Sequence, residues 1–412
     1  MVNLFDIAVD QINEAAELLA LDSATRALLC RPRREYHFTL PVQMDDGSFD
    51  VYPGFRIQYN DARGPTYGSV RFHPDETANK ARARAAWMTW KPAIMDLPLG
   101  GAYGGIICDP EGLSARELER LARSYVRALG SFTNGERDII APDAFSTPKT
   151  ISWMADERSV IRNNAFVSPG CQSLSEFDGT LAGNDGYTKS GLFCLREGAK
   201  YSNVELKNGR TVIFGFNETG MNVAKLSERY FGCRVIAVSD PPNGIRYLNG
   251  LDVTELIRYK QTTGSLAGFP GAEEVVPQEV LESECEVLWV TDGEAAVTPD
   301  NADGIKARII VEATDGAITP AADKILHGRG VFVIPDVLSN AGGVIASYYG
   351  WAVIPGDDRA FGKMDMFLDD RTTKTFHRVL EERNARNIHM RLAAYSLGVE
   401  RVVDAMKIRG WC

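Results

Sequence analysis

Histidine is scarce in this chain: His37, His73, His327, His377 and His389 are the only five in 412 residues. None stands at ligand spacing from another or from a cysteine, which argues against a structural or catalytic zinc or similar metal site. The seven cysteines (Cys30, Cys108, Cys171, Cys194, Cys233, Cys285, Cys412) are scattered, odd in number and form no CxxC pair. They read as free thiols in a reducing compartment and not as a disulfide framework. No apolar run reaches the ~18 residues that a bilayer demands. The opening stretch MVNLFDIAVDQINEAAELLA carries acids where a signal peptide carries bases, so it reads as an amphipathic helix and the expected location is the cytoplasm. Basic residues are in the minority, 45 against 55 acids, for a net charge of −10. That excludes a broad nucleic-acid face but leaves room for an anionic small ligand held by a few lysines or arginines.

What is present is ordinary globular material, enough for two cores at roughly 150 residues per domain. In the first half Val51–Tyr59 alternates as a strand and Arg63–Pro74 is glycine-rich. A helical run follows from about Glu76 to Lys91, and Leu97–Ile106 (LPLGGAYGGI) reads as a glycine loop entering an apolar strand. Ser114 and Glu117 form a capping box ahead of a helix that Gly130 ends. The second half repeats short apolar strands, Thr211–Phe216, Val235–Val238, Val287–Val290, Ile309–Glu312 and Val331–Ile334, mostly with helical segments between them. This is the pattern of an α/β fold with an open, mainly parallel sheet. A boundary is expected near Gly183–Ser190, and the chain closes on an amphipathic run, Leu392–Ile408.

Two constellations carry possible chemistry. The unit VIFGFNETG has Gly215 and Gly220 of a dinucleotide fingerprint, but Asn217 stands where the middle glycine lets a pyrophosphate approach, and Glu218 adds a carboxylate to the same turn. Asp240, twenty residues after Gly220, sits where a ribose-binding acid belongs. The scaffold is therefore a Rossmann unit, while its use for NAD or NADP stays open, the alternative being a scaffold kept for packing. In the first half, Lys91 in MTWKPAI, the GGAYGG run and Asp143 in IIAPDAF suggest a ligand cleft, against the plainer reading of solvated or salt-bridged charges.

Several stretches in the right order make the chain resemble the glutamate/leucine/phenylalanine/valine dehydrogenase family, glutamate dehydrogenases above all. They are Ala62–Pro74, Met88–Ile94, Leu97–Pro110, Leu113–Tyr125, Ile140–Thr147, Val238–Ile245, Gly268–Glu273, Val331–Trp351 and Ala393–Gly410. The resemblance implies two α/β domains: a substrate and oligomerisation domain over 1–185, with C-terminal helices in 355–412 packing back on it, and a Rossmann-like dinucleotide domain over 186–354. It also implies a homo-oligomer, a hexamer by resemblance, or a hetero-oligomer with an active relative, and an amino-acid or keto-acid ligand.

The departures from the family pattern concern the site. Tyr67 stands where the family lysine holds a substrate side-chain carboxylate, with Ser69 for a neighbouring glycine, and Tyr103 replaces the catalytic lysine. Lys91, Arg71, Asp143 and Ser347 match family positions for binding and catalysis. Thr188 is kept in GNDGYTKSG, where two family arginines become Asn184 and Ser190; Asp292 and Asp315 are further acids in the expected cofactor groove. A neutral phenol supplies no cation and titrates near ~10 in its free state. Three readings follow: a catalytically silent ligand-sensing, regulatory or structural relative; an enzyme of altered chemistry using Lys91, Tyr103 and Asp143; or a working NAD(P)-dependent amino-acid dehydrogenase with atypical residues.

Overall fold

Alternation along Arg34–Gln43 (β1) and Phe49–Asn60 (β2) closes an antiparallel hairpin that begins the first of two sheets in the computed structural model. The structure describes residues 3–130, 137–141, 143, 146, 148–161, 184–352 and 363–412. β3 (Thr66–Phe72), β4 (Gly100–Ile106) and β5 (Asp138–Ala141) complete the sheet in the order β1-β2-β4-β3-β5. β4 runs antiparallel to β2 and parallel to β3. The glycine stretch expected to be a loop is thus itself a central strand, and the glycine-rich segment before it supplies β3. The reason is close approach: a Cβ on Gly101 would lie 2.2 Å from the Thr89 amide nitrogen, so the helix carrying Thr89 rests directly on β4.

Helices α1 (Leu4–Leu18), α2 (Ser23–Leu29) and α3 (Ala78–Ile94) belong to this half. α4 (Ala115–Leu129) starts at Ser114 with the expected capping box, and α5 (Pro148–Ile161) lies beside it. Val70, Phe72 and Ile106 pack with Leu121 and Tyr125 of α4 in a core on one face of the sheet. α3 covers the other face.

The second sheet has the order β12-β11-β10-β6-β7-β8-β9. Five strands are parallel: β6 (Arg210–Phe214), β7 (Arg234–Asp240), β10 (Val287–Val290), β11 (Ile309–Glu312) and β12 (Phe332–Ile334). β8 (Asn243–Arg246) and β9 (Glu273–Val275) add an antiparallel edge. The chain leaves β6 toward β7 and later returns to β10 on β6's other side. The switch point, where doubly wound sheets take ligands, is therefore between β6 and β10. The longer helices of this half are α6 (Asn184–Tyr201), α7 (Glu218–Phe231), α8 (Val253–Thr263) and α9 (Pro320–Gly328). The segment near which the sequence placed a boundary between the halves is helical from Asn184 onward; Gly183 lies outside the described residues.

α10 (Gly342–Ala352), α11 (Met364–Arg386) and α12 (Met390–Ile408) end the chain. α11 lies on α6, with Arg196 Nη2 2.7 Å from Asp369. α12 returns to the first half: Tyr395 donates to Gln11 at 2.7 Å, and Arg401 donates to the carbonyls of Ala93 and Ile94 at 2.8 and 2.7 Å. Its first turn carries Arg391, buried against Asp323 (2.7 Å), Asp336 (2.7 Å) and Glu312. Among the described residues no helix is long and apolar enough to cross a membrane, and no cluster of His, Cys, Asp or Glu could hold a metal ion. Cys30, Cys108, Cys194, Cys233, Cys285 and Cys412 are free thiols.

Candidate functional site

The helical period sets three of the four cations of α3 in a line, Arg82 facing away to Glu35. At ~100° per residue, Lys80, Arg84, Trp87 and Lys91 fall within roughly 60° of arc. Each meets the second half of the molecule. Lys80 and Arg84 approach Glu294 at 3.9 and 3.7 Å, in the segment that follows β10. The Trp87 ring lies against Gly316, where an added Cβ would sit 2.9 Å from it. Lys91 Nζ donates to both oxygens of Asp315, at 2.6 and 2.8 Å. Asp315 also accepts from the Asn340 side chain at 3.0 Å. The Lys91 side chain is 4% exposed and that of Asp315 25%, so the pair sits at the mouth of a buried position.

Beneath α3, the parallel register of β3 on β4 pairs Tyr67 with Gly101 and Arg71 with Gly105. Alternation then sets Tyr67, Ser69, Arg71 and Tyr103 on the face that α3 covers. Tyr67 Oη donates to Ser347 Oγ of α10 at 2.7 Å, and burial pushes the Tyr67 phenol up to about 12. Tyr103 Oη donates to Asp143 Oδ2 at 2.5 Å. Burial first, and then the Asp143 charge, hold the Tyr103 phenol well above its ordinary range, so it is a neutral hydrogen-bond donor at neutral pH. Asp143 is further fixed by its own amide donating to Ser146 Oγ at 2.7 Å.

Arg84, Glu76 and Glu294 were not singled out from the sequence. The Arg84 guanidinium lies 5.4 Å from the Tyr103 ring centroid and donates to Glu76 at 2.7 Å. Burial alone would weaken the Arg84 charge, but Tyr103, Glu76 and Asp143 outweigh it and raise its pKa. Burial likewise pushes the Glu76 carboxyl up, against the pull of Arg84 and Arg71. Arg71 Nε is 3.6 Å from Glu76. The helical spacing of Lys80, Arg84 and Lys91 was the available signal; Glu76 and Glu294 carried none.

At the switch point, Gly215 takes φ +99°, which favours glycine, and a Cβ on Gly220 would lie 2.0 Å from the Gly215 carbonyl. Both serve the tight turn and the close helix–strand contact. Asn217 is the N-cap of α7: its Oδ1 accepts from the Gly220 amide at 3.0 Å and its Nδ2 donates to the Thr291 carbonyl at 3.1 Å. One amide of the helix N-terminus is therefore already used by a side chain. Glu218 is exposed in the first turn, and Asp292 accepts from the Gly293 amide at 2.8 Å. Asp240 forms an ion pair with Lys260 of α8 at 2.8 Å, and Lys260 also donates to the Phe216 carbonyl. Lys260 was a further residue that sequence reasoning missed.

Thr188 is buried on α6. Ser190, also buried, donates to the Ser339 carbonyl and accepts from the Gly342 amide at 3.0 Å, tying α6 to the start of α10. A cavity of about 680 Å³ lies apart from these groups, against α8 with Tyr247, Tyr259 and Phe269 in its wall. In its charged lining Arg258 is bonded to Glu255 and Asp252 caps α8.

Residues 32–160 match the model of the Glu/Leu/Phe/Val dehydrogenase dimerisation domain, and residues 179–410 match that of Glutamate/Leucine/Phenylalanine/Valine dehydrogenase. A glutamate dehydrogenase of Thermotoga maritima is 36% identical over 411 residues, covering 99% of this chain and 98% of the relative. A cryptic catabolic NAD-specific glutamate dehydrogenase of Bacillus subtilis is 37% identical over 97% of this chain and 94% of its own. A crystal structure of hetero-hexameric glutamate dehydrogenase from Thermus thermophilus, in a Leu-bound form, superposes with a TM-score of 0.89 at 32% identity, covering 99% of this chain and 97% of that one.

Proposed function

We propose, from the premise that the chain belongs to the Glu/Leu/Phe/Val dehydrogenase family, that it is a ligand-sensing, regulatory member of that family and not a standard amino-acid dehydrogenase. The observation that carries this reading is mutual satisfaction in the cleft. Tyr103 donates to Asp143, Tyr67 to Ser347 and Lys91 to Asp315. Oxidative deamination needs a base that takes a proton and a cation that stabilises developing negative charge. A buried phenol with a raised pKa is neither, and its hydrogen bond occupies Asp143 Oδ2.

The dinucleotide turn supports the same reading. A diphosphate at the head of α7 would compete with Asn217 for the Gly220 amide and would approach Glu218. A ribose hydroxyl at Asp240 would compete with Lys260. These residues fit NAD or NADP poorly. The Thermus thermophilus relative, hetero-hexameric and described with leucine bound, makes an amino acid the natural ligand class and assembly with a related subunit the natural setting.

The alternative, an enzyme of altered chemistry, rests on Arg84: a cation does lie beside the Tyr103–Asp143 pair. Steady-state assays of the purified chain with NAD or NADP and a panel of amino acids separate the readings. The expected result is no turnover by the wild type, nor by the combined Tyr67→Lys and Tyr103→Lys variant, which leaves the Asn217 turn and the Asp240–Lys260 pair unchanged. Turnover by the wild type at about 1 s⁻¹ or above, the ordinary enzyme range, would overturn the regulatory reading.

A further inference from the structure

We infer that the Lys91–Asp315 pair is an exchangeable receptor for an amino-acid zwitterion, so that the cleft takes α-amino acids and rejects the corresponding keto acids. The inference deepens the regulatory reading and rests on it for the cleft being a binding site.

The argument is one of charge balance. Lys91 belongs to α3 of the first half, and Asp315 to the segment after β11 in the second. They bond through both carboxylate oxygens across the two halves, at 2.6 and 2.8 Å, with Lys91 almost wholly buried. A ligand carboxylate that reaches Lys91 must displace Asp315. A keto acid brings only negative charge, so it leaves two carboxylates competing for one ammonium in a poorly solvated place. A zwitterion brings its own ammonium. Its carboxylate takes Lys91, its ammonium takes Asp315, and no charge is left unpaired. Asn340 donates to Asp315 Oδ1 and keeps the carboxylate in position during the exchange.

The wall at Tyr67 is neutral, while the charges of Arg84, Glu76 and Asp143 lie further along the same face, beside Tyr103. Tyr67, in register with Gly101, lies under the stretch of α3 between Arg84 and Lys91, since Gly101 approaches Ala85 and Thr89. Its hydroxyl is bonded to that of Ser347. An uncharged side chain suits that surface, and an anionic one finds no ammonium there. This selectivity is the reverse of what a reversible dehydrogenase requires, because such an enzyme must hold the amino acid and the keto acid in turn.

Calorimetric titration of the full chain, without any nucleotide, tests this with leucine, phenylalanine and the keto acids of the same side chains. The wild type is expected to bind the amino acids about ten-fold or more tighter than their keto acids. In Asp315→Asn the keto acids gain about ten-fold or more while the amino acids do not, so that the preference narrows or inverts. Equal affinity for both classes in the wild type overturns the inference, as does an unchanged ratio in Asp315→Asn or no binding of any amino acid at millimolar concentration. Because selectivity is read in the wild type as well, a variant that fails to fold leaves the test intact. Failure of the regulatory reading registers separately, as turnover once NAD or NADP is added.

Discussion

The end of β11 and the segment after it feed two ion-pair sites of opposite character. Glu312, the last residue of β11, enters the fully buried cluster around Arg391 together with Asp323 and Asp336. Asp315, three residues on, reaches Lys91 at a partly open position. The first site also holds the backbone of the segment: Glu312 accepts from the Ile318 amide and Asp336 from the Gly316 amide, both at 3.0 Å. The second has a single ammonium, and one of its partners is a quarter exposed. One arginine shared by three carboxylates with no solvent cannot let go of any of them without stranding a charge. One lysine with one carboxylate near water can change partners. The comparison teaches that the rigid site aims the exchangeable one.

That contrast is broken most directly at Arg391. Arg391→Met removes one cation and leaves three buried carboxylates without it. Breaking such a buried network from one side typically costs about 3–5 kcal/mol. Urea unfolding of the variant should show a loss of that size, with a clearly smaller loss for Asp315→Asn measured beside it. If the two variants lose the same amount, the distinction between an anchoring site and an exchangeable one fails.

A smaller effect follows from pH. His389 lies 3.4 Å from Asp323 and 3.8 Å from Glu14. Burial would lower its pKa, but these carboxylates outweigh burial and raise it from 6.5 to about 9. Its contribution to stability is therefore complete below pH 6.5 and is lost as the pH rises through 9. Glu312 is pushed from 4.5 up to about 8 by burial, over the pull of Arg391, so it costs stability progressively between those values. Asp323 runs the other way. Burial opposes its charge, but Arg391 and His389 lower it from 3.8 to about 2, and its contribution is lost only as the pH falls toward 2. Stability to thermal unfolding should thus fall from the mildly acidic range to pH 9. His389→Gln should flatten the upper part of that profile. A wild-type profile that rises between neutrality and pH 9 would contradict the assignment.

How much of this was legible beforehand follows from what kind of information each feature uses. The parallel strands Val287–Val290 and Ile309–Glu312 and the Ser114 capping box were readable because short apolar runs and caps are local signals. β4 was misread as partly loop because glycine there serves close approach by α3, a tertiary demand that composition reports as flexibility. The residue types of the cleft were legible, but their partners were not. Asp315 was read as an acid facing a cofactor, while its bond to Lys91 spans 224 residues of sequence. The row of cations on α3 was visible in the helical period, yet Glu294 and Asp315, which answer it, follow no local pattern.

The smallest expected effect lies at the switch point, and it separates capping from ligand recognition. Asn217 bonds the Gly220 amide and reaches across to the Thr291 carbonyl, so it caps α7 and ties that helix to the end of β10. Asn217→Ala removes both bonds and should cost about 1 kcal/mol, the usual value of an N-cap. Asn217→Gly should cost only a few tenths of a kcal/mol, because glycine is itself tolerated at an N-cap. The glycine variant also frees the Gly220 amide and restores the fingerprint spacing, while leaving Glu218 and Asp292 in place. If the cap alone keeps a diphosphate out, Asn217→Gly will bind NAD in a calorimetric titration in which Asn217→Ala, with its added Cβ, will not. If neither binds, the acids and the Asp240–Lys260 pair are the stronger barrier, and Lys260→Ala in the glycine background is the change that should then expose Asp240 to a ribose.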